Sequence, residues 1–446
     1  MIHKYELNGY HILLDINSGS VFEIDEATYD LLDYFPDKDK AIVSLKGKYP
    51  EFDLDEAWGE IDNLKDQGIL FSDDIVLEED LMKNHDVKAM CLHVSHDCNM
   101  RCGYCFASEG SFEGEKGLMD LETGKKAIDF LIENSGNRRH LEVDFFGGEP
   151  LMNFEVVKAL VEYARGKETE SGKIFRFTMT TNGLLLNEEI MDYLDANMAN
   201  IVLSIDGREE TNDKMRKTLN DEGTYKYIIE KIKKMSEKRG AKDHYIRGTF
   251  TKNNLDFSKD VLDLADKGFP SISVEPVVAT PENSYALVEE DVSVLKKEYE
   301  NLADEYLKYS REDKEFNFFH FNIDLHAGPC AYKRVSGCGA GTDYIAVTPT
   351  GEIYPCHQFV GKEEFILGNL DAGIIDQKIR EKFQEVNLTD KKACKDCWAK
   401  YYCGGGCFAN AHNFNEDISI PYEIGCELEK KRIECAIMIK VAQQNR

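Results

Sequence analysis

Short runs rich in apolar residues mark six strands in the middle of the chain. The strands are predicted over 89–95, 141–146, 174–180, 200–205, 244–250 and 271–277. Stretches with helical spacing lie between them, near 122–134, 154–170, 187–197, 223–239 and 256–268, and another follows near 288–311. This alternation predicts an α/β fold with a parallel sheet and an active site at the carboxyl ends of the strands. Six units are fewer than the eight of a closed barrel, so we expect a partial (β/α)6 barrel.

The first 80 residues have a different pattern. Residues 10–25 read as a hairpin, because Asn-Ser-Gly-Ser at 17–20 has the composition of a turn between two strand-like arms. Three helical stretches follow, over 26–35, 39–49 and 53–70. A hairpin joined to three short helices predicts a small winged-helix-like domain.

Composition narrows the classes of function. The chain has 446 residues, with 54 Lys and Arg against 83 Asp and Glu, a net charge of −29. Such an acidic chain repels a phosphate backbone, so we expect no nucleic-acid partner. No apolar run approaches the ~20 residues of a membrane span, and the N-terminus lacks the apolar stretch of a signal peptide. We therefore expect a cytoplasmic protein with no membrane partner.

Charge and cysteine are unevenly distributed. Residues 1–80 hold 21 acidic and 6 basic residues, a net −15, and no cysteine. The 13 cysteines lie in two zones, Cys91 to Cys105 and Cys330 to Cys435. A cytoplasmic chain does not keep disulfides, so clustered cysteines point to metal binding or catalysis. We expect three units, at 1–80, 89–310 and 311–446; the acidic first unit is alternatively a solubility or dimerisation domain.

The first cysteine zone follows the first predicted strand. Cys98, Cys102 and Cys105 form a C-x3-C-x2-C run. Three thiolates at this spacing are able to hold a [4Fe–4S] cluster and leave its fourth iron without a cysteine ligand. Zinc is the alternative, with His93 or His96 as a fourth ligand, although structural zinc usually uses C-x2-C pairs.

Short polar motifs follow the next three strands. They are Gly147-Gly148-Glu149-Pro150, Thr180-Thr181-Asn182-Gly183 and Ser204-Ile205-Asp206-Gly207, the last followed by Asp213-Lys214-Met215-Arg216. With the cysteine run they resemble the radical S-adenosylmethionine (SAM) superfamily. The resemblance implies that the cluster cysteines are catalytic, that 147–150 hold the amino end of SAM, and that Tyr104 lies near its adenine. It also implies that polar residues contact the SAM carboxylate and ribose, namely Thr181, Asn182, Ser204, Asp206 and Arg216.

The second cysteine zone has seven regularly placed members. They are Cys338, Cys356, Cys394, Cys397, Cys403, Cys407 and Cys426. A zinc ribbon would account for only the C-x2-C-x5-C-x3-C part. The full pattern resembles the SPASM domain, which implies two auxiliary [4Fe–4S] clusters and three clusters in all. By that resemblance one auxiliary cluster takes Cys394, Cys397, Cys403 and Cys426, and the other takes Cys338, Cys356, Cys407 and either Cys330 or an open iron. Cys91 and Cys435 are then core residues.

The winged pattern of residues 1–80 resembles the RiPP recognition element, a PqqD-like domain that binds the leader of a ribosomal precursor peptide as an added strand. The whole chain resembles thioether-forming maturases, most of all those of six-cysteine (SCIFF) peptides, through the segments around Cys330 and Gly337–Gly341. The implied reaction joins a cysteine sulfur to an α-carbon of a cysteine-rich core. The implied partners are that precursor and a reductant such as flavodoxin or ferredoxin.

Other functions remain open at this point. Radical SAM–SPASM relatives also convert a sulfatase cysteine to formylglycine or form carbon–carbon crosslinks in peptides. A non-catalytic electron carrier or metal-storage protein is an alternative of a different class. An electron carrier needs no SAM-binding motifs, so the three strand-end motifs argue against it.

Overall fold

The computed structural model describes residues 1–75, 86–312, 314–325, 331–335, 337–388 and 390–444. The first segment contains a three-stranded antiparallel sheet and three helices. Its elements are β1 (Ile2–Leu7), β2 (Tyr10–Asp15), β3 (Val21–Glu23), α1 (Glu26–Leu31), α2 (Lys38–Leu45) and α3 (Glu51–Asp66). The predicted hairpin is confirmed as β2 and β3. The sequence did not predict β1, because Ile2, Tyr5 and Leu7 do not alternate regularly.

The central segment alternates strands and helices as predicted. Its elements are β4 (Ala89–Ser95), β5 (Met100–Cys102), α4 (Leu121–Glu133), β6 (His140–Gly147), α5 (Phe154–Ser171), β7 (Ile174–Thr181), α6 (Glu188–Asn197), β8 (Asn200–Ser204), α7 (Glu209–Met215), β9 (Arg216–Thr218), α8 (Tyr225–Arg239), β10 (His244–Phe250), α9 (Phe257–Asp266), β11 (Ser271–Pro276) and α10 (Glu289–Arg311). All six predicted strands are confirmed.

The remaining part consists of short strands and helices and ends in one long helix. Its elements are β12 (Asn317–Phe318), α11 (Ala331–Val335), β13 (Tyr344–Val347), β14 (Glu352–Tyr354), β15 (Gly368–Asn369), β16 (Gly373–Ile374), α12 (Gln377–Glu385), α13 (Lys392–Lys395), α14 (Lys400–Cys403), α15 (Phe408–Asn415) and α16 (Glu423–Gln444). No helix in the described ranges is both long enough and apolar enough to cross a bilayer.

One sheet organises the central and C-terminal parts. Its strand order is β12-β11-β10-β8-β7-β6-β4-β13-β14-β15-β16, and the first eight run parallel to their neighbours. The six predicted strands are therefore flanked by β12 and β13. The sheet stays open, because β13 continues into the antiparallel strands β14 to β16. This is the partial barrel that the strand count predicted, with a parallel strand added at each side.

Side chains of the parallel strands alternate between the helix-covered outside and the interior of the barrel. In β6, Leu141, Val143 and Phe145 are fully buried, whereas Glu142 and Asp144 are half-buried. A parallel strand covered on both faces would be apolar throughout. The alternation indicates that the inner face borders a cavity, and it places the polar positions of these strands inside the barrel.

The N-terminal sheet is packed on both faces. Leu13 on one face joins a cluster with Trp58 of α3. Ile12 and Leu14 on the other face belong to the same hydrophobic core as the barrel and α16. At the edge of this contact the Tyr5 hydroxyl donates to the Glu434 carbonyl over 2.9 Å.

Candidate functional site

A cavity of about 290 Å³ lies at the carboxyl ends of the parallel strands. Twelve of the predicted SAM-site residues line it: Cys98, Cys102, Tyr104, Cys105, Gly147, Gly148, Glu149, Pro150, Thr181, Asn182, Ser204 and Arg216. These residues come from separate parts of the sequence and meet because parallel strands end at one rim of the sheet. A second cavity of about 570 Å³ lies at the amino ends of the strands, and no cysteine lines it.

Backbone contacts fix the loop that carries the three cysteines. The strand β5 pairs with β9, which places Cys102 opposite Arg216. Arg101 Nη1 donates to the carbonyl of Cys98 over 2.8 Å, and the Gly103 N–H donates to the Met215 carbonyl over 2.7 Å. Burial raises the pKa of Cys98 to about 12 and that of Cys102 to about 11. Such thiols keep their protons near neutral pH until a metal displaces them.

Glu149 joins two strand ends. Its carboxylate is 1% exposed and accepts from the Asn182 N–H and the Thr181 hydroxyl, each over 2.8 Å. Burial raises its pKa to about 7, against these hydrogen bonds. Asn182 Nδ2 in turn lies 3.7 Å from Cys98 Sγ. Glu149 therefore ties the motif after β6 to the motif after β7 and, through Asn182, to the cysteine loop.

Tyr104, Asp206 and Arg216 form a buried network beside the cysteines. The Tyr104 hydroxyl donates to the Asp206 carboxylate, with distances of 2.7 and 2.9 Å to its two oxygens, and accepts from Arg216 Nη1 over 3.0 Å. Asp206 is 1% exposed and lies behind Tyr104. Arg216 Nε is buried without a hydrogen-bond partner in the described part of the chain. Arg216 lines the cavity and thus keeps one donor, Nε, without a partner in this network.

The other residues that line the same cavity include five aromatic or charged side chains that the sequence analysis did not select. They are Phe106, Phe146, Arg247, Glu275 and His357. His320 Nε2 lies 3.1 Å from a carboxylate oxygen of Glu275, which fixes that side chain. The sequence signal that could have found them is the alternation of side chains between the two faces of a strand, because Phe146, Arg247 and Glu275 occupy inward-facing positions.

The cysteines of the second zone form two groups. In one, burial and the neighbouring thiols Cys407 and Cys338 raise the pKa of Cys356. In the other, burial and the thiols of Cys403, Cys394 and Cys397 raise the pKa of Cys426 to about 12. Cys330 lies outside the described residues. Cys91 and Cys435 are buried in β4 and α16, at 1% and 0% exposure.

Within the described ranges, no three His, Cys, Asp or Glu side chains converge as the ligands of one metal ion do. His93 and His96, the alternative zinc ligands, lie 3.0 Å from each other through Nδ1 and Nε2. Thiolates of a [4Fe–4S] cluster bind different irons and stand further apart than zinc ligands. Three cysteines on one wall of a cavity, with a donor of Arg216 unused, fit a cluster that carries a further ligand.

Two family models match the chain. Residues 92–265 match the Radical SAM superfamily, and residues 338–398 match the SPASM iron-sulfur cluster-binding domain. The first match covers the strands and helices from β4 to α9. The second begins at Cys338 and ends just after Cys397.

Known proteins with this architecture share low sequence identity with the chain. The radical SAM cyclopropyl synthase TigE of Paramaledivibacter caminithermalis is 20% identical, across 96% of this chain and 92% of TigE. The structure of anSMEcpe with bound AdoMet has a TM-score of 0.68 at 21% identity, covering 81% of this chain and 96% of that one. Streptococcus suis SuiB bound to its precursor peptide SuiA has a TM-score of 0.52 at 16% identity, covering 95% and 98%. The chain therefore contains a radical SAM domain and a C-terminal SPASM domain, and these domains imply iron–sulfur clusters and SAM as cofactors.

Proposed function

We propose that the chain matures a ribosomally made precursor peptide, which has a leader and a cysteine-rich core, by joining a cysteine sulfur to an α-carbon. Three [4Fe–4S] clusters would serve the reaction, one at Cys98, Cys102 and Cys105 and two in the SPASM part. Flavodoxin or ferredoxin would supply electrons. The observation that carries the peptide substrate is the N-terminal module, which is packed against the main body and leaves both edges of its sheet, β1 and β3, without a partner strand in the described residues.

One of these two edges belongs to β3, and we assign the leader to it. Two hydrogen bonds, Asp15 N–H to Ser20 O and Ile24 N–H to His11 O, show which residues of this arm face β2. Because strand residues alternate, Val21 between them directs its backbone N–H and C=O away from β2. An extended peptide is able to pair with such an edge. The matches to TigE and SuiB cover 95–96% of this chain, and this coverage supports an N-terminal module shared with them.

The residues of the cavity would position the reacting groups. Bound SAM and the reduced cluster would supply a 5′-deoxyadenosyl radical that takes the α-hydrogen, and the auxiliary clusters would accept the electron left by bond formation. Tyr104 and Arg216 are held on the SAM side by Asp206. Phe106 and Phe146 line the same cavity and would exclude water from the radical.

The product distinguishes this reaction from its alternatives. A thioether forms with the loss of one hydrogen from the α-carbon and one from the thiol, so the peptide loses two hydrogen atoms for each crosslink. We expect mass spectrometry after anaerobic incubation with SAM, reductant and a candidate precursor to detect this loss. We also expect one cysteine for each crosslink to resist alkylation.

Other outcomes would replace the proposal. Loss of two hydrogens with every cysteine still open to alkylation would indicate a carbon–carbon crosslink, a class of bond that TigE, named a cyclopropyl synthase, also suggests. Conversion of a cysteine to formylglycine would indicate sulfatase-type maturation. Absence of SAM cleavage with reductant present would argue for an electron carrier.

Proline at the open edge should weaken leader binding. Val21→Pro removes the N–H of β3 that points away from β2. It leaves in place the two flanking hydrogen bonds between β2 and β3, which the N–H groups of Asp15 and Ile24 donate. Loss of one or two backbone hydrogen bonds, at ~0.5–1.5 kcal/mol each, weakens affinity by about tenfold. Titration of a fluorescent leader peptide would measure the change.

Val21→Thr is the matched control, because it keeps the N–H and the β-branched shape. We expect it to bind the leader as the unmodified protein does, and we expect both variants to cleave SAM normally. The net −15 of residues 1–80 further predicts that rising salt weakens binding of a basic leader. Equal affinity for the proline variant would exclude strand addition at this edge, and indifference to salt would exclude the electrostatic contribution.

A further inference from the structure

Lys391 is a buried cation between the two cysteine groups of the SPASM part. The residue is 2% exposed, and its ammonium lies 4.4 Å from the centroid of the Phe408 ring. Lys391 Nζ donates to the Gly405 carbonyl over 2.8 Å. Another buried lysine, Lys173, donates to two carbonyl oxygens, so Lys391 is the less well satisfied of the two.

A buried ammonium requires a negative partner. The Gly405 carbonyl that accepts from Lys391 lies two residues from Cys403 and two from Cys407, one cysteine of each group. In the described part of the chain no carboxylate forms an ion pair with Lys391. An unpaired charge in the interior costs several kcal/mol. The negative partner of the Lys391 ammonium is therefore the set of thiolates in the two cysteine groups.

One peptide unit connects Lys391 to Cys403. The backbone N–H groups of Gly405 and Gly406 lower the pKa of the Cys403 thiol, against the burial that raises it. Gly404, Gly405 and Gly406 make this possible with φ of 77°, 87° and 76°, a conformation that side chains disfavour. The Gly405 carbonyl and the Gly406 N–H belong to the same peptide plane. A cation at the carbonyl end strengthens the N–H donor at the other end.

We infer that Lys391 raises the reduction potentials of the auxiliary clusters, and most strongly that of the cluster held by Cys394, Cys397, Cys403 and Cys426. The inference rests on the two auxiliary clusters of the proposed function. Nearby charge and hydrogen bonds to the sulfurs set the potential of an iron–sulfur cluster. A cation favours the reduced form, which carries one more negative charge. The order of the effect follows from the direct contact of Lys391 with that group, since the Cys394 N–H donates to the Lys391 carbonyl over 2.9 Å.

Lys391→Met keeps the apolar stem and removes the charge. We expect the reduction potential of the second cluster, held by Cys394, Cys397, Cys403 and Cys426, to fall by ~59 mV, which for one electron is a tenfold change in the reduction equilibrium. The potential of the first cluster, at Cys338, Cys356 and Cys407, should fall by less. The measurement is an EPR-monitored redox titration in the Cys102→Ala background, which removes the SAM-cluster signal. Cys356→Ala and Cys426→Ala assign the two remaining signals.

The control variants separate charge from packing. Lys391→Arg keeps the charge and should retain the potentials. Lys392→Met removes an exposed charge next to Lys391 and should leave both potentials unchanged. Unchanged potentials in Lys391→Met with full iron content would overturn the inference, and so would an equal shift in Lys391→Arg or a shift confined to the first cluster.

Iron content covers the case in which Lys391→Met does not assemble its clusters. If the arginine variant then loads fully while methionine and glutamine variants do not, the charge is required, as inferred. If the arginine variant also fails, the lysine acts by shape and the inference is wrong. Failure to detect a thioether would contradict the proposed reaction but would not affect the inference about the potentials. An iron content of about four per unmodified chain, which is one cube rather than three, would show that the auxiliary clusters are absent.

Discussion

We expect Cys102→Ala to abolish SAM cleavage and to leave the rest of the protein folded. Cys102 lies in β5, whose pairing with β9 uses backbone atoms that alanine retains. Loss of one of three thiolates removes the SAM cluster but does not touch the distant SPASM cysteines. Reconstituted iron should therefore fall from about twelve to about eight per chain, since each cube holds four. Iron analysis and chromatographic detection of 5′-deoxyadenosine would measure both effects.

Cys435→Ala is the matched control for this experiment. Cys435 is fully buried in α16 and belongs to neither cysteine group. Its replacement should lower the free energy of unfolding through lost packing, while iron content and SAM cleavage stay at the level of the unmodified protein. SAM cleavage retained by Cys102→Ala, or lost by Cys435→Ala at full folding, would refute the assignment of the catalytic cluster.

The barrel was predictable because its signals are local. Each of the six strands carries its own short apolar or alternating run, and right-handed βα connection then leaves few arrangements. The strands β12 and β13 were missed because two and four residues are too short for a periodic pattern. The packing of the N-terminal sheet on α16 was also missed. It joins Tyr5 to Glu434, and no sequence pattern reports a contact across that distance.

The part of the candidate site that lies at the ends of the strands was predictable from the sequence. The motifs at 147–150, 181–182 and 204–216 meet in one cavity because parallel strands end together. Lys391 was not predictable in this way. In the sequence it is one lysine of a Lys-Lys pair, and only the fold separates its buried side chain from the exposed neighbour. Its environment depends on Gly405, fourteen residues away.

The sheet packing also decides how the leader module is best tested. Ile12 and Leu14 of β2 face the common core, so deletion of residues 1–80 would expose apolar surface of the main body. A truncated chain that fails to bind a precursor would therefore be ambiguous. Substitution at Val21 changes the β3 edge and leaves Ile12 and Leu14 in place against that core, on which the Val21 side chain also packs.

Gly148→Ala should disable the SAM site by steric conflict alone. A Cβ on Gly148 would lie 2.2 Å from the carbonyl oxygen of Asp97 and 3.0 Å from the Cα of Gly110, and both atoms belong to the backbone. The motif after β6 would have to move away from the loop that begins at Cys98. Such overpacking costs ~1–3 kcal/mol of unfolding free energy. If the strain falls on the cavity, SAM affinity declines by about 10–100-fold, which equilibrium dialysis with labelled SAM would measure.

Gly166→Ala provides the same chemical change without the conflict. Gly166 lies inside α5, and its added Cβ would meet nothing within 4 Å. Alanine there should stabilise the protein by up to ~1 kcal/mol, because glycine is a poor helix former. SAM affinity should not change. If Gly148→Ala bound SAM as well as Gly166→Ala does, the close approach of the Gly147–Pro150 motif to the cysteine loop would not be a requirement of the SAM site, and its role would be limited to folding.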